Sequence, residues 1–446
     1  MRQVFDYVDD IEKQIETLSH EIWSYPELGL QEEKSASLYR RIFEDHGFLV
    51  HSVEGLPTSL VAEYGQGKPI LGFVGEYDAL PGLSQEVSAS KQPIEEGGPG
   101  HGCGHNLLGS ASLGAALAVG RYLKTVNQPG TIRFYGCPAE ELGVGKIKMD
   151  EAGVFDDLDA CLAWHPGMWN AVTGSSLSAL IKAEFFFEGT TSHAGAHPEL
   201  GRSALDGVEL MNVGANYLRE HIPEGTKLHY IITNGGQAAN IVPGHASVQY
   251  MVRAPKKDVA HEVFARLVKV ARGAAMMTET SVDFAMEKDN YDTKNNVVLE
   301  DFVSSSYAFC GPLDFDQEDL ALAQAIVDTL PPENYREALK VFDNPAGTVL
   351  DGMVHSILGR GETFGASSDL GQITYRTPTV QCSATCFPLG VPLHTWQATA
   401  CAGSTFGLKG AIYMAKVLAV SAVRLFEDET NVLEKAWKEF KANHSR

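Results

Sequence analysis

The stretch ILGFVGEYDALPG (residues 70–82) runs through apolar residues and glycines before it turns acidic at Glu76 and Asp78. A short, nearly continuous apolar run of this kind reads as a strand buried on both faces, ending in a loop. Two later segments repeat the design. TIRFYGCPAEE (131–141) is a strand stopped at Pro138, and DLDACLAWHPG (157–167) is a strand ending at His165. Between the first two lies LLGSASLGAALAVGRYL (107–123), a helix of small residues apolar enough to pack inside a domain. Amphipathic helices are expected at 9–22 and 32–47, and residues 83–104 are rich in Gly, Pro, Ser and Glu and read as irregular. Strands alternating with helices predict an α/β domain with a mostly parallel sheet flanked by helices.

The texture changes after about residue 178. KAEFFFEG (182–189), KLHYIITNGG (227–236), ASVQYMVRAP (246–255) and SVDFAMEK (281–288) read as strands. Helical periodicity fills 203–222 and 258–277. The resulting β-α-β-β-α-β order is the ferredoxin-like pattern. From about 292 the chain returns to helix and loop, closing with apolar helices at 409–426 and 431–442. We therefore expect an inserted α+β domain over 179–291, within a domain formed by 1–178 and 292–446.

A chain of 446 residues is long enough for two domains. Its 44% hydrophobic content excludes a mostly disordered chain. No run approaches 18 consecutive apolar residues, which argues against a membrane span. The opening MRQVFDYVDDIEKQIE lacks the basic-then-apolar order of a signal peptide. With 35 basic against 57 acidic residues, the net charge is −22. No dense Lys/Arg cluster offsets it, which speaks against nucleic acid and anionic membranes as partners. Seven cysteines, several in apolar runs, predict buried thiols in a reducing, cytoplasmic setting. Cys382 and Cys386 are spaced like half of a zinc site, but no second pair follows.

The chemistry concentrates in a few places. GPGHGCGHN (98–106) packs two His and one Cys into a Gly-rich loop ahead of a helix. It can be read as a metal site, a Cys nucleophile with a His base, or packing. Glu140 and Glu141 follow a strand directly, where a solvated helix start is the plainer explanation. His165 before Pro166 is, taken singly, a core or loop residue. Placement changes the balance. Asp78, Glu140, Glu141 and His165 each fall at or beyond the carboxyl end of an expected strand, where open α/β sheets collect ligands. The Cys/His loop shares that edge, and PLHTWQ (392–397) adds His394. These residue types fit a two-metal hydrolase, with one carboxylate as ligand and its neighbour free to take a proton from water. Adjacent strand residues point to opposite faces, so both glutamates can serve one site only if the strand has ended, as Pro138 requires.

The ordered series GEYDALPG (75–82), GHGCGHN (100–106), PAEE (138–141), WHPG (164–167), SHAG (192–195), GRSALDGVELM (201–211), NIVP (240–243), GASSDLG (365–371) and PLHTWQ resembles the amidohydrolase branch of the aminoacylase/glutamate-carboxypeptidase metallopeptidases. Within it, the similarity is greatest to the B-type subunits of the aminobenzoyl-glutamate hydrolases. The resemblance implies a di-metal exopeptidase-like catalytic domain with an inserted lid and dimerisation domain. It implies Cys103, His105, Glu141, His165 and His394 as ligands of two divalent ions, Zn or Mn. Glu140 would be the general base, and Asp78 would steady a ligand imidazole. His193 would polarise the scissile carbonyl in a neighbouring subunit's site, while Asn240 and Arg253 hold the substrate. The implied substrate is a small amide with a free carboxylate: an N-acyl or aroyl amino acid like p-aminobenzoyl-glutamate, or a dipeptide. A homodimer is the expected assembly, with a heteromer of paralogous subunits as the alternative. Two departures from the commoner members stand out: Asn106 follows His105 where Asp is usual, and Ser367-Ser368-Asp369 replaces an acidic pair. His101 and His197 receive no role. The competing readings are a catalytically silent relative acting as a binding or regulatory subunit, and a Cys103-nucleophile hydrolase.

Overall fold

The computed structural model describes residues 2–428 and 430–444. The chain forms two compact units, one comprising Met1–Ser175, Lys294–Glu362 and Ile373–Arg446, the other Ser176–Thr293 and Thr363–Gln372.

The first unit is built on a seven-stranded sheet. Its strands are β1 (Leu49–Val53), β2 (Leu56–Gln66), β3 (Ile70–Glu76), β4 (Gly130–Cys137), β5 (Ala160–Gly167), β6 (Ala171–Thr173) and, late in the chain, β13 (Thr379–Thr385). Their order is β1-β2-β4-β3-β5-β13-β6. β4, β3, β5 and β13 are mutually parallel, and β2 and β6 run antiparallel at their flanks. The chain leaves β3 for β4 on one side and returns to β5 on the other. The connections thus diverge around β3, and the crevice outside the carboxyl ends of these strands is the natural ligand site.

The helices His105–Val126 and Thr405–Glu427 pack side by side across the sheet. Gly109 makes this close: a Cβ there would lie 2.1 Å from the Tyr39 hydroxyl and 2.6 Å from the Glu76 carbonyl. The helix can therefore settle directly on the end of β3. Thr405–Glu427 is long and apolar enough to cross a membrane by length and composition, contrary to the expectation from uninterrupted apolar runs. Glycines and two lysines break those runs, but 89% of its most apolar window is buried inside the protein, where it forms part of the core.

The tail from 292 is not only helix and loop. β13 sits between β5 and β6, and its pairing with β5 is in register from Thr379 opposite Cys161 to Thr385 opposite Gly167. Cys382 is a buried strand residue and Cys386 a buried residue just after it, with no zinc-like cluster around either among the described residues.

Arg133 on β4 faces Glu63 on β2 and donates Nε–H to its Oε2 at 2.5 Å. Its two Nη groups grip Asp157 at 2.5 and 2.9 Å. This clasp holds the Asp157 carboxyl below its usual range. A depressed carboxylate contributes stability above its unfolded pKa and loses it as pH falls through the folded value. Asp157 is half exposed, so screening leaves about 0.5–1 kcal/mol. Asp157→Asn should lower the urea midpoint at pH 7 accordingly, and the gap should close progressively below about pH 4. A gap that persists unchanged in acid would show that the clasp is not its source.

The second unit holds a four-stranded antiparallel sheet of β8 (Ala179–Glu188), β9 (Lys227–Asn234), β10 (His245–Ala254) and β11 (Ser281–Asn290), in the order β11-β8-β10-β9. The helices Ala204–Leu218 and Lys257–Thr278 complete the ferredoxin-like β-α-β-β-α-β arrangement. Alternation along β8 turns Ile181, Ala183, Phe185 and Phe187 toward these helices. Residues 363–372, expected from the sequence to belong to the first domain, join this unit. There β12 (Thr363–Phe364) pairs with β7 (Ser176–Leu177), and Gln372 donates to the Asp289 carbonyl at 2.7 Å.

Candidate metal centre

At the rim of the first unit's sheet, five chain segments converge. β3 ends at Glu76 and delivers Asp78 two residues on. The Gly-rich loop turns through Gly104, whose φ of 79° suits glycine, and places Cys103 and His105 at the head of the helix. β4 ends at Cys137, and Ala139 takes a left-handed φ of 55°, so Glu140 and Glu141 occupy a turn rather than a strand. That is how neighbouring glutamates escape the alternation of a strand. His165 lies near the end of β5. His394 also has a left-handed φ, 62°, and its N–H donates to the Gly102 carbonyl at 2.9 Å, which ties its loop to the Cys/His loop. Such a backbone in a non-glycine residue costs about 1–3 kcal/mol and tends to mark functional sites.

The donor atoms meet. Cys103 Sγ lies 3.3 Å from His165 Nε2. Glu141 Oε2 lies 3.4 Å from His394 Nε2. The ligand atoms of Cys103, His105 and His165 fall within 4.8 Å of one another, and so do those of Cys103, Glu141 and His394. The thiol belongs to both groups, as a centre for two ions would need. Asp78 is buried and holds both halves: its Oδ1 is 2.9 Å from His105 Nδ1, and its Oδ2 accepts the Glu141 N–H at 2.9 Å. His105 therefore has only Nε2 to offer a ligand. That buried atom makes no hydrogen bond and faces the Glu76 carboxylate at 3.3 Å, a pair of donors that a cation would engage.

The electrostatics favour a cation. Burial, with help from Glu140 and Asp78, pushes the Glu141 carboxyl up to about 7. Burial lowers His165 and His394, and neighbouring His105 lowers them further. Burial also works against a charged His105, but Cys103 and Asp78 outweigh it and raise its pKa well above the usual range. Burial pushes the Cys103 thiol up strongly, the opposite of what a free cysteine nucleophile requires. A coordinating metal would deprotonate it outright. The residues present thus fit a pair of borderline cations with mixed N, O and S ligands.

Three residues at the rim escape a reading of the sequence. Glu32 accepts the Ala139 N–H at 2.7 Å and so braces the turn ahead of Glu140. Burial, and then Asp78, raises its carboxyl to about 7. Glu76 and Lys146 form a buried pair at the end of β3. The local pattern marks Glu76 only as the acidic end of a strand, and it marks neither Glu32 nor Lys146. His101 is buried, contacts the Ile22 carbonyl at 3.1 Å, and belongs to none of the donor groups.

His193, Asn240 and Arg253 lie in the second unit. The first two share one loop pair: Ala194 N–H donates to the Asn240 carbonyl at 3.0 Å, and His193 bridges Ile241. Both side chains are on exposed residues. Arg253 is at the other end of β10, where its guanidinium donates to Ser367 Oγ at 3.0 Å. His197 is exposed beside Glu199.

Sequence family and relatives place the protein among hydrolases that act on amide and peptide bonds. The chain belongs to Peptidase family M20/M25/M40, whose model matches residues 72–355. It is 38% identical to the B-type subunit of p-aminobenzoyl-glutamate hydrolase from Escherichia coli (strain K12), over 96% of this chain and 93% of that protein. It is 28% identical to the Xaa-Arg dipeptidase of Mus musculus, over 99% and 92% respectively. In fold it is similar to the Bacillus subtilis YXEP protein, a dinuclear metal binding peptidase of the M20 family. That likeness has a TM-score of 0.61 at 17% identity and covers 94% of this chain and 99% of that one.

Proposed function

We propose that this chain is a two-metal amidohydrolase cleaving N-acyl or aroyl amino acids of the p-aminobenzoyl-glutamate type, or small dipeptides. The observation that carries this is the convergence of Cys103, His105, Glu141, His165 and His394 on one rim, with Glu140 beside them. Zn or Mn held by those five residues would supply a water of lowered pKa and a polarised carbonyl.

The chain's own groups do the rest. Asp78 fixes the His105 tautomer by taking Nδ1–H. Glu140, next to a ligand but free of that duty, takes the proton of the attacking water and returns it to the leaving amine. His193 Nδ1 accepts the Ala196 and Gly195 N–H groups at 3.0 and 3.2 Å, so its proton sits on Nε2. From there it can donate to a developing oxyanion, in our reading within a second subunit's site. Asn240, on the loop pair of His193, would hold the substrate carbonyl in that second site, whereas the planar fork of Arg253, at the other end of β10, would grip the carboxylate of a substrate in its own subunit. The helix Ala204–Leu218 exposes Leu210, Val213 and Tyr217 at helical spacing, an apolar stripe that supports a homodimer. A heteromer with a paralogous subunit would use the same stripe. The seven cysteines, none of them in a disulfide, accord with a reducing compartment such as the cytoplasm.

The test is hydrolysis of p-aminobenzoyl-glutamate, N-acyl amino acids and dipeptides with and without a chelator. Activity should vanish on chelation and return with Mn2+ or Zn2+. Turnover that survives complete metal removal would defeat the reading.

A further inference from the structure

The end of β3 carries a charge pair that the roles above leave unused. Glu76 and Lys146 are both buried, and Lys146 Nζ lies 2.7 Å from Glu76 Oε1. The other oxygen, Oε2, lies 3.3 Å from His105 Nε2, the one nitrogen this histidine has free for a cation. Ligand atoms of Glu76, His105 and Glu140 also fall within 4.8 Å of one another.

A buried ion pair does not stabilise a core better than apolar residues of the same volume. Its presence here therefore needs another explanation. Lys146 engages one oxygen and leaves the second facing the imidazole. Two donors bound to one ion at about 2.1 Å with tetrahedral angles are roughly 3.4 Å apart. The spacing between Oε2 and Nε2 is thus that of two ligands sharing an ion. Because the Glu76–Lys146 pair is neutral as a whole, it adds a donor oxygen without adding net charge to a rim already crowded with Asp78, Cys103, Glu140 and Glu141.

We propose that Glu76 Oε2 is a further ligand of the ion that His105 binds, with Lys146 as its positioning residue. This inference rests on the two-ion reading above. It is tested by titrating metal-free wild type, Glu76→Gln and Glu76→Gln/Lys146→Met with Mn2+ by calorimetry, with bound ions counted by mass spectrometry. Glutamine keeps the volume of Glu76 and an acceptor for Lys146, and the double variant removes both charges, so the metal-free proteins should fold. Wild type should bind two ions. Both variants should bind one of them at least about tenfold more weakly, and the absorption spectrum of the Co2+-loaded protein should change. A merely structural pair would shift the thermal midpoint but leave both affinities and the cobalt spectrum at wild-type values, which would overturn the inference while the two-ion reading stood. Wild type that binds no ion would bring down both. Crystals soaked in Mn2+ give an answer that needs no variant. An ion within about 2.4 Å of Glu76 Oε2 supports the assignment, and ions all beyond about 3 Å refute it.

Discussion

Glu140→Gln should bind both metal ions with wild-type stoichiometry and lose turnover by roughly 10²–10⁴-fold. Glutamine matches the side chain in size and leaves the turn at Ala139 and its brace from Glu32 intact. What it removes is the only function we give Glu140, accepting a proton from water and passing it on. The loss should therefore fall on kcat, with KM little changed. Metal analysis and steady-state kinetics on the same preparation decide the matter. Metal-replete variant enzyme with near-normal kcat would mean that the proton goes elsewhere.

Asp78→Ala should be the most damaging change at the rim that touches no proposed ligand atom. Its carboxylate satisfies His105 Nδ1 and the Glu141 N–H at once, and both groups are buried from solvent on that side. The Glu141 N–H would lose its partner and His105 Nδ1 would keep only the Asp78 carbonyl at 3.0 Å, at a cost of about 1–3 kcal/mol of stability. With the imidazole held by that carbonyl alone and no longer beside a carboxylate, metal affinity should fall about 10–100-fold. Asp78→Asn discriminates between the two effects. Its amide offers a single acceptor, so it can serve one of the two groups and should recover part of the stability but not the affinity. Denaturant midpoints of the metal-free proteins, set beside metal titrations, separate them. If Asp78→Ala binds metal as wild type does, the link through His105 is wrong.

The rim was legible because each of its residues follows an apolar strand or opens a helix, and in a parallel sheet those ends share one edge. Cys103, His105, Glu140, Glu141 and His165 are placed by that rule, and the turn at Ala139 shows how two adjacent glutamates reach the same side. The resemblance supplied the division of labour among them. The same strand-end rule marks Glu76 at the end of β3, but its partner Lys146, in the short helix Gly145–Glu151, carries no pattern until the fold brings the two together. β13 was missed for a related reason. TVQCSAT does alternate, with Val380, Cys382 and Ala384 on one face, but it is short and only weakly apolar, and its place in the sheet comes from its register with β5, more than two hundred residues earlier. The move of residues 363–372 into the second unit is likewise a matter of pairing, with Ser176–Leu177, rather than of local propensity. The ferredoxin-like order, by contrast, was readable directly, because its central strands β8 and β10 alternate over one covered face.

The donors at the rim are scattered along the chain, and the gap between His165 and His394 contains the whole second unit. Ions held at these donors would tie together segments far apart in the chain, and only in the folded state, where the donors meet. Binding of this kind favours the native state in proportion to the logarithm of free metal, about 2.7 kcal/mol at a hundred times the dissociation constant. Starvation for metal would then do more than silence the centre. It would weaken the fold itself, so that the abundance of the protein in a cell, and not only its rate, would follow the supply of the ion.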